Sequence, residues 1–187
     1  MNQIIRDAYI SIEIADHGLD CLRNGLHALF GGSGVECEMA SSAAHVSIAY
    51  GEGDVEIEAL ERVASEIAAL PFSVNVVGFE ILSGRETKFD YLVVALEGDS
   101  MNAAVATASG FIKTRTFDGG FRSHLSLLKF PKGTVTSEWA SKVIAEMNVC
   151  QAAALALGRA SVSLRGSVVS VFNAQRARCL SKTFSVA

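Results

Sequence analysis

The hydrophobic positions of this chain recur at two spacings, and the switches between them lay out a fold. Over residues 8–14 the spacing is two: Ile10, Ile12 and Ile14 fall on one face, Tyr9, Ser11 and Glu13 on the other, the pattern of a half-buried strand. From about residue 17 to 30 it becomes three and four. Leu19, Leu22, Leu26, Leu29 and Phe30 line one side of a helix that Asp16 is placed to cap and Gly31-Gly32-Ser33-Gly34 to stop. Next come a strand, His45-Val46-Ser47-Ile48-Ala49-Tyr50, and a turn at 51–54. A second helix, about 55–70, then buries Ile57, Leu60, Val63, Ala64 and Ile67, starts with Glu56 and Glu58 at the positive end of its dipole, and ends at Pro71. Strands at about 74–82 and 91–97 flank a hairpin loop at 83–88, in which Arg85 and Lys88 read as solvated charges. An alanine-rich helix at 101–111, capped by Asp99 or Ser100, leads through a polar loop at 114–120 to Phe121-Arg122-Ser123.

The fifth run of strand length is His124-Leu125-Ser126-Leu127-Leu128-Lys129, closed by Pro131-Lys132-Gly133. Thr136 can cap a fourth helix with Trp139, Val143, Ile144 and Met147 on its apolar face; residues 152–157 either prolong it or form a separate turn. Two short strands, 160–164 and 167–172, are expected on either side of Arg165-Gly166. The tail from 174 to 187 is either a loose end or a final strand closing over a cleft. The order β-α-β-α-β-β-α-β-α-β-β repeats approximately in its halves. It suits an α+β fold, two antiparallel sheets with helices on their outer faces, rather than a parallel doubly wound sheet.

Composition narrows the functional classes. At 187 residues, half of them apolar and 19% charged, the chain reads as one globular domain with a full core. Its net charge of −4 argues against broad capture of long nucleic acid, which needs a basic surface, but leaves room for a small phosphate ligand. Cys21, Cys37, Cys150 and Cys179 show no metal or disulfide spacing and read as reduced, buried thiols of a cytoplasmic protein. No apolar run reaches the roughly 20 residues that span a bilayer, so no membrane association is expected, and the chain is expected to be a monomer.

The chemistry concentrates in two matching stretches. His45 and Ser47, and again His124 and Ser126, stand two apart on one face of a strand, with apolar residues between them facing the core. Facing each other, the two stretches would place two imidazoles and two hydroxyls around one reacting group. An imidazole titrates near neutrality and can give or take a proton; the hydroxyls can donate to oxygens that gain charge in a transition state. His17 and His27 belong to no such motif and read as surface or capping residues. No carboxylate–histidine cluster has metal spacing, so neither metal nor cofactor is expected.

The paired His-x-Ser motifs, 79 positions apart (124 − 45), resemble those of the two-histidine (2H) phosphoesterase superfamily, with Ser where Thr is more frequent. This superfamily includes LigT-like RNA ligases and 2′,3′-cyclic phosphodiesterases, 2′,5′-oligoadenylate phosphodiesterases and phage anti-CBASS nucleases. The resemblance implies two pseudo-symmetric lobes around a central cleft, and His45, His124, Ser47 and Ser126 as catalytic residues of a metal-independent phosphodiesterase. It implies a small nucleotide or cyclic oligonucleotide as substrate, of the anti-CBASS type first. An RNA-processing 2′,3′-cyclic phosphodiesterase acting on short RNA, and a non-catalytic nucleotide-binding module, are the alternatives. Tyr9, on the polar face of the first strand, is placed either to stack on a base or to fill the rim of the core. Arg122, two residues before His124, is either a basic group near the phosphate or an exposed strand-start arginine.

Overall fold

Strict alternation in the β-branched runs and three-four spacing in the leucine-rich ones give, in the computed structural model, fourteen elements among the described residues. Those are residues 3–83, 87–116, 122–156 and 163–184. In chain order the elements are β1 (Ile4–Arg6), β2 (Tyr9–Ile14), α1 (His17–Gly32), β3 (Glu38–Met39), β4 (His45–Tyr50), β5 (Asp54–Glu56), α2 (Ile57–Ala69), β6 (Ser73–Ser83), β7 (Phe89–Glu97), α3 (Asp99–Phe111), β8 (His124–Pro131), α4 (Ser137–Ala156), β9 (Ser163–Phe172) and β10 (Arg178–Thr183). Residues 84–86 of the expected hairpin loop with Arg85, 117–121 before the second motif, 160–162 of an expected strand and the end of the tail lie outside the described residues.

Except for the small β1–β5 pair, the strands form one antiparallel sheet ordered β10-β9-β2-β4-β8-β7-β6, with β3 added on β8. The two sheets expected from the sequence are the two ends of this order. They join where β4 meets β8 at Val46–Leu125, and again where β6 pairs with β9 over Ser73–Asn75. One face of the sheet is apolar. Ile10, Ile12, Val46, Ile48, Leu125 and Leu127 lie on it, buried in one core with Leu26 and Phe30 of α1 and Leu60 and Val63 of α2. Asp16 Oδ1 accepts from the Leu19 N–H at 2.7 Å and caps α1 as its position in the sequence suggested. Thr136 Oγ1 does the same for Trp139 N–H at 3.2 Å at the start of α4, and residues 152–156 prolong that helix.

Three expectations change. The cap of α3 is neither Asp99 nor Ser100 but Gly98, whose φ of 155° and close approach to the Ser73 carbonyl (3.0 Å from an added Cβ) exclude a side chain. The Ser100 hydroxyl instead donates to that carbonyl. The break expected at Arg165-Gly166 is absent, and β9 runs straight through it. A Cβ on Gly166 would lie 2.8 Å from Ile12 Cγ2 and from Phe184 Cε2, so glycine serves close packing there rather than a turn. Of the two alternatives for the tail, the final strand is the one found: it forms β10, paired along β9. The cysteines are not buried: Cys21 and Cys150 are exposed on α1 and α4, and Cys37 and Cys179 are half-buried. Among the described residues no helix is long and apolar enough to cross a membrane.

Candidate active site

The two His-x-Ser segments are neighbours in the sheet. β4 and β8 run antiparallel and meet at a single register pair, Val46 opposite Leu125. Residues flanking such a pair oppose one another in crossed order and project to the other face. Ser47 therefore falls opposite His124, and His45 opposite Ser126. Exposure obeys the alternation: Val46 and Leu125 are fully buried in the core, whereas His45, Ser47, His124 and Ser126 are all half-buried.

Each of these strands bulges at the residue after its serine. The β2–β4 register steps from Ile10–Ala49 to Ser11–Ser47 and leaves Ile48 unopposed. The β7–β8 register steps from Leu92–Leu128 to Val93–Ser126 and leaves Leu127 unopposed. A bulge shifts the alternation by one and re-aims the side chains beyond it. Tyr50, three residues after Ser47, so returns to the site face, where its hydroxyl stands 3.3 Å from Ser47 Oγ. Unbroken alternation would have put it on the opposite face.

Both imidazoles are held in the same way. His45 Nδ1 lies 3.2 Å from the Ala43 carbonyl, and His124 Nδ1 lies 2.8 Å from the Arg122 carbonyl. A carbonyl can only accept, so Nδ1 carries the hydrogen in each ring, and Nε2 is the atom left to take up or release a proton. Behind His45 the turn is braced. Ser41 Oγ donates to the Ala43 carbonyl at 2.6 Å, and the buried Arg23 of α1 donates to the Ser41 carbonyl while pairing with Asp20 at 3.7 Å. Burial pushes the His45 imidazole below the ordinary histidine value near 6.5. The Ala43 hydrogen bond opposes this, the charge of Arg176 adds to it, Glu13 opposes it and Arg23 adds to it. Glu13 is the cross-strand neighbour of His45 and is itself held by Ser170 Oγ at 2.8 Å and by Arg178.

No family model and no curated protein sequence matches the chain. Solved structures do. Usb1 from Kluyveromyces marxianus aligns over 98% of this chain and 99% of its own, with a TM-score of 0.59 at 15% identity. The same protein solved with uridine monophosphate aligns over 97% and 98%, with a TM-score of 0.60 at 15% identity. The chain has the two-histidine phosphoesterase fold. LigT from E. coli also aligns, over 98% of this chain and all of its own, at a TM-score of 0.48 and 13% identity.

Within this fold the six residues singled out from the sequence separate. His45, Ser47, His124 and Ser126 share one face of adjacent strands. Tyr9 lies beside them but is only 8% exposed. Its ring packs against Tyr50 and Phe172 at centroid distances of 5.0 and 5.6 Å and meets His45 edge-on at 6.0 Å, which leaves no free face for a base. Its hydroxyl stands 3.1 Å from Ser47 Oγ, and burial holds the phenol well above its ordinary pKa, fixed as the neutral form. Tyr9 is thus a support for Ser47, not a stacking platform. The Arg122 side chain, 73% exposed, pairs with Glu80 at 3.6 Å; what the residue gives the site is its main-chain carbonyl, the anchor of His124. Tyr50, Arg23 and Glu13 carry no signal in the sequence, because a bulge, a helix packed behind a turn and a cross-strand neighbour all depend on three-dimensional register.

Proposed function

We propose that the protein is a metal-independent phosphodiesterase that cleaves short or cyclic oligonucleotides with its two His-x-Ser motifs. The observation that carries the reading is the crossed arrangement of two imidazoles, each anchored through Nδ1, and two serine hydroxyls on one face of adjacent strands. Cleavage of a phosphodiester needs one proton removed from the attacking oxygen and one delivered to the leaving oxygen. His45, kept neutral by burial, accepts the first at Nε2 from a water or a ribose hydroxyl. The new P–O bond forms as the opposite P–O bond breaks, and His124, protonated, gives its Nε2 proton to the departing oxygen. The pair ends with its protonation states exchanged and resets through solvent. Ser47 and Ser126 donate hydrogen bonds to the non-bridging oxygens as their charge grows.

The net charge of −4 favours a compact substrate, cyclic oligonucleotide immune signals of the anti-CBASS type above long RNA. The uridine monophosphate held by Usb1, a protein of the same fold, favours a ribonucleotide; the second substrate is accordingly short RNA, with a 2′,3′-cyclic phosphate end as the bond to be cleaved. Incubation with 2′,3′-cyclic mononucleotides, linear 2′–5′ and 3′–5′ oligoadenylates and cyclic di- and trinucleotides, with products resolved by chromatography, separates them. Turnover of cyclic oligonucleotides alone supports the first substrate; turnover of 2′,3′-cyclic ends alone supports the second. Binding without turnover of any member would leave a nucleotide-binding module and end the enzymatic reading.

A further inference from the structure

The β9–β10 hairpin closes through Asn173-Ala174-Gln175-Arg176-Ala177. Asn173 N–H donates to the Ala177 carbonyl at 3.0 Å, Arg176 N–H donates to the Asn173 carbonyl at 2.9 Å, and Ala177 N–H donates to Asn173 Oδ1 at 2.9 Å. This is a three-residue loop, a tight turn followed by one left-handed position, which glycine ordinarily fills because a Cβ is strained there. Here the position is Arg176, at φ 61°. Strain of this kind gathers where a side chain is in use.

The Arg176 side chain reaches back over the site. Its guanidinium stands 5.6 Å from the centre of the Tyr9 ring, whose hydroxyl contacts Ser47 and whose edge meets His45. Two other arginines are already engaged, Arg122 with Glu80 and Arg178 with Glu13. Among the described residues no carboxylate lies within ion-pair distance of Arg176. Its charge is therefore uncompensated beside the motif serine, and it also helps keep His45 deprotonated.

We propose that Arg176 is a substrate-binding residue that takes the anionic phosphate of a nucleotide at the His45–Ser47 side of the site. The assignment rests on the phosphodiesterase reading and names the group that meets its substrate's charge. A guanidinium presents a planar fork that matches two phosphate oxygens, and the Tyr9 ring beneath it limits its orientations. In a chain of net charge −4 a local cation adds to the hold on an anion.

The test uses uridine monophosphate as probe, with calorimetric binding, melting temperature and steady-state cleavage measured on the full chain. Arg176→Gly suits the left-handed turn, so its melting temperature should equal or exceed the parent's, while uridine monophosphate binding weakens and KM rises roughly tenfold or more. Arg176→Lys keeps the charge without the fork and should fall between. Arg62→Ala removes one charge from the exposed side of α2 and should bind as the parent does. Parental binding and KM in Arg176→Gly would overturn the proposal and leave the phosphodiesterase reading standing. A clear drop in its melting temperature would give Arg176 a structural part instead. A parent that neither binds the probe nor cleaves any substrate of the panel removes both readings.

Discussion

Ser47 and Ser126 occupy the same place in their motifs, yet their surroundings differ. Ser47 Oγ has the Tyr9 hydroxyl at 3.1 Å and the Tyr50 hydroxyl at 3.3 Å; among the described residues the Ser126 hydroxyl has no hydrogen-bond partner. A serine has one hydrogen to give and two lone pairs. With both phenols as donors to those lone pairs, the serine hydrogen is the one left to meet the substrate. Tyr9→Phe removes one donor and keeps the ring packing, so kcat should fall several-fold, as loss of a net bond worth about 1 kcal/mol implies, with the melting temperature little changed. Steady-state kinetics and thermal melts check this, and an unaltered kcat would contradict the orienting role of Tyr9. Titration sets a second residue-level property. Protonated His45 cannot act as a base, and its pKa lies below the ordinary 6.5. The rate should therefore climb as pH rises through values below 6.5 and already be near its maximum at neutrality. A pH profile of kcat/KM reports this acidic limb, read as a property of the pair. A limb above 6.5 would contradict the burial argument.

The elements differ in how legible they are in the sequence. Helix α1 is readable because its leucines, its Asp16 cap and its glycine stop all agree. Strands β4 and β8 are readable from alternation as far as their serines. Beyond that the bulges at Ile48 and Leu127 break the period, and nothing in the residue types announces them. Arg165-Gly166 has the residue types of a turn because glycine permits turns; what decides the matter is Ile12, Phe72 and Phe184 crowding the place a Cβ would occupy. Gly166→Ala should therefore destabilise the protein by roughly 1–3 kcal/mol, the cost of an overpacked methyl. Urea unfolding measures it, and an unchanged midpoint would mean that β9 has room to move away.

For the molecule as a unit, the site exists because two ends of one sheet meet. β4 belongs with β2, β9 and β10, β8 with β7 and β6, and Val46–Leu125 is where they touch. Periodicity alone places His45 and His124 on strands and gives each a hydroxyl at the same offset. It cannot say that the strands are adjacent, or that the register crosses each histidine with the other motif's serine. Nor can it say that the arginine nearest in sequence, Arg122, is engaged elsewhere while Arg176 arrives from a hairpin far along the chain. All of this bears on one assertion, that the two imidazoles act as a single acid–base pair without a metal. Single-turnover cleavage of the panel's best substrate in EDTA, by the parent, His45→Ala, His124→Ala and the double variant, puts it to the test. EDTA should leave the parent rate unchanged, each single variant should lose most activity, and the double should be little worse than either, because residues working as a unit are not additive. Activity lost in EDTA and restored by a divalent ion, or single losses that multiply in the double variant, would contradict it.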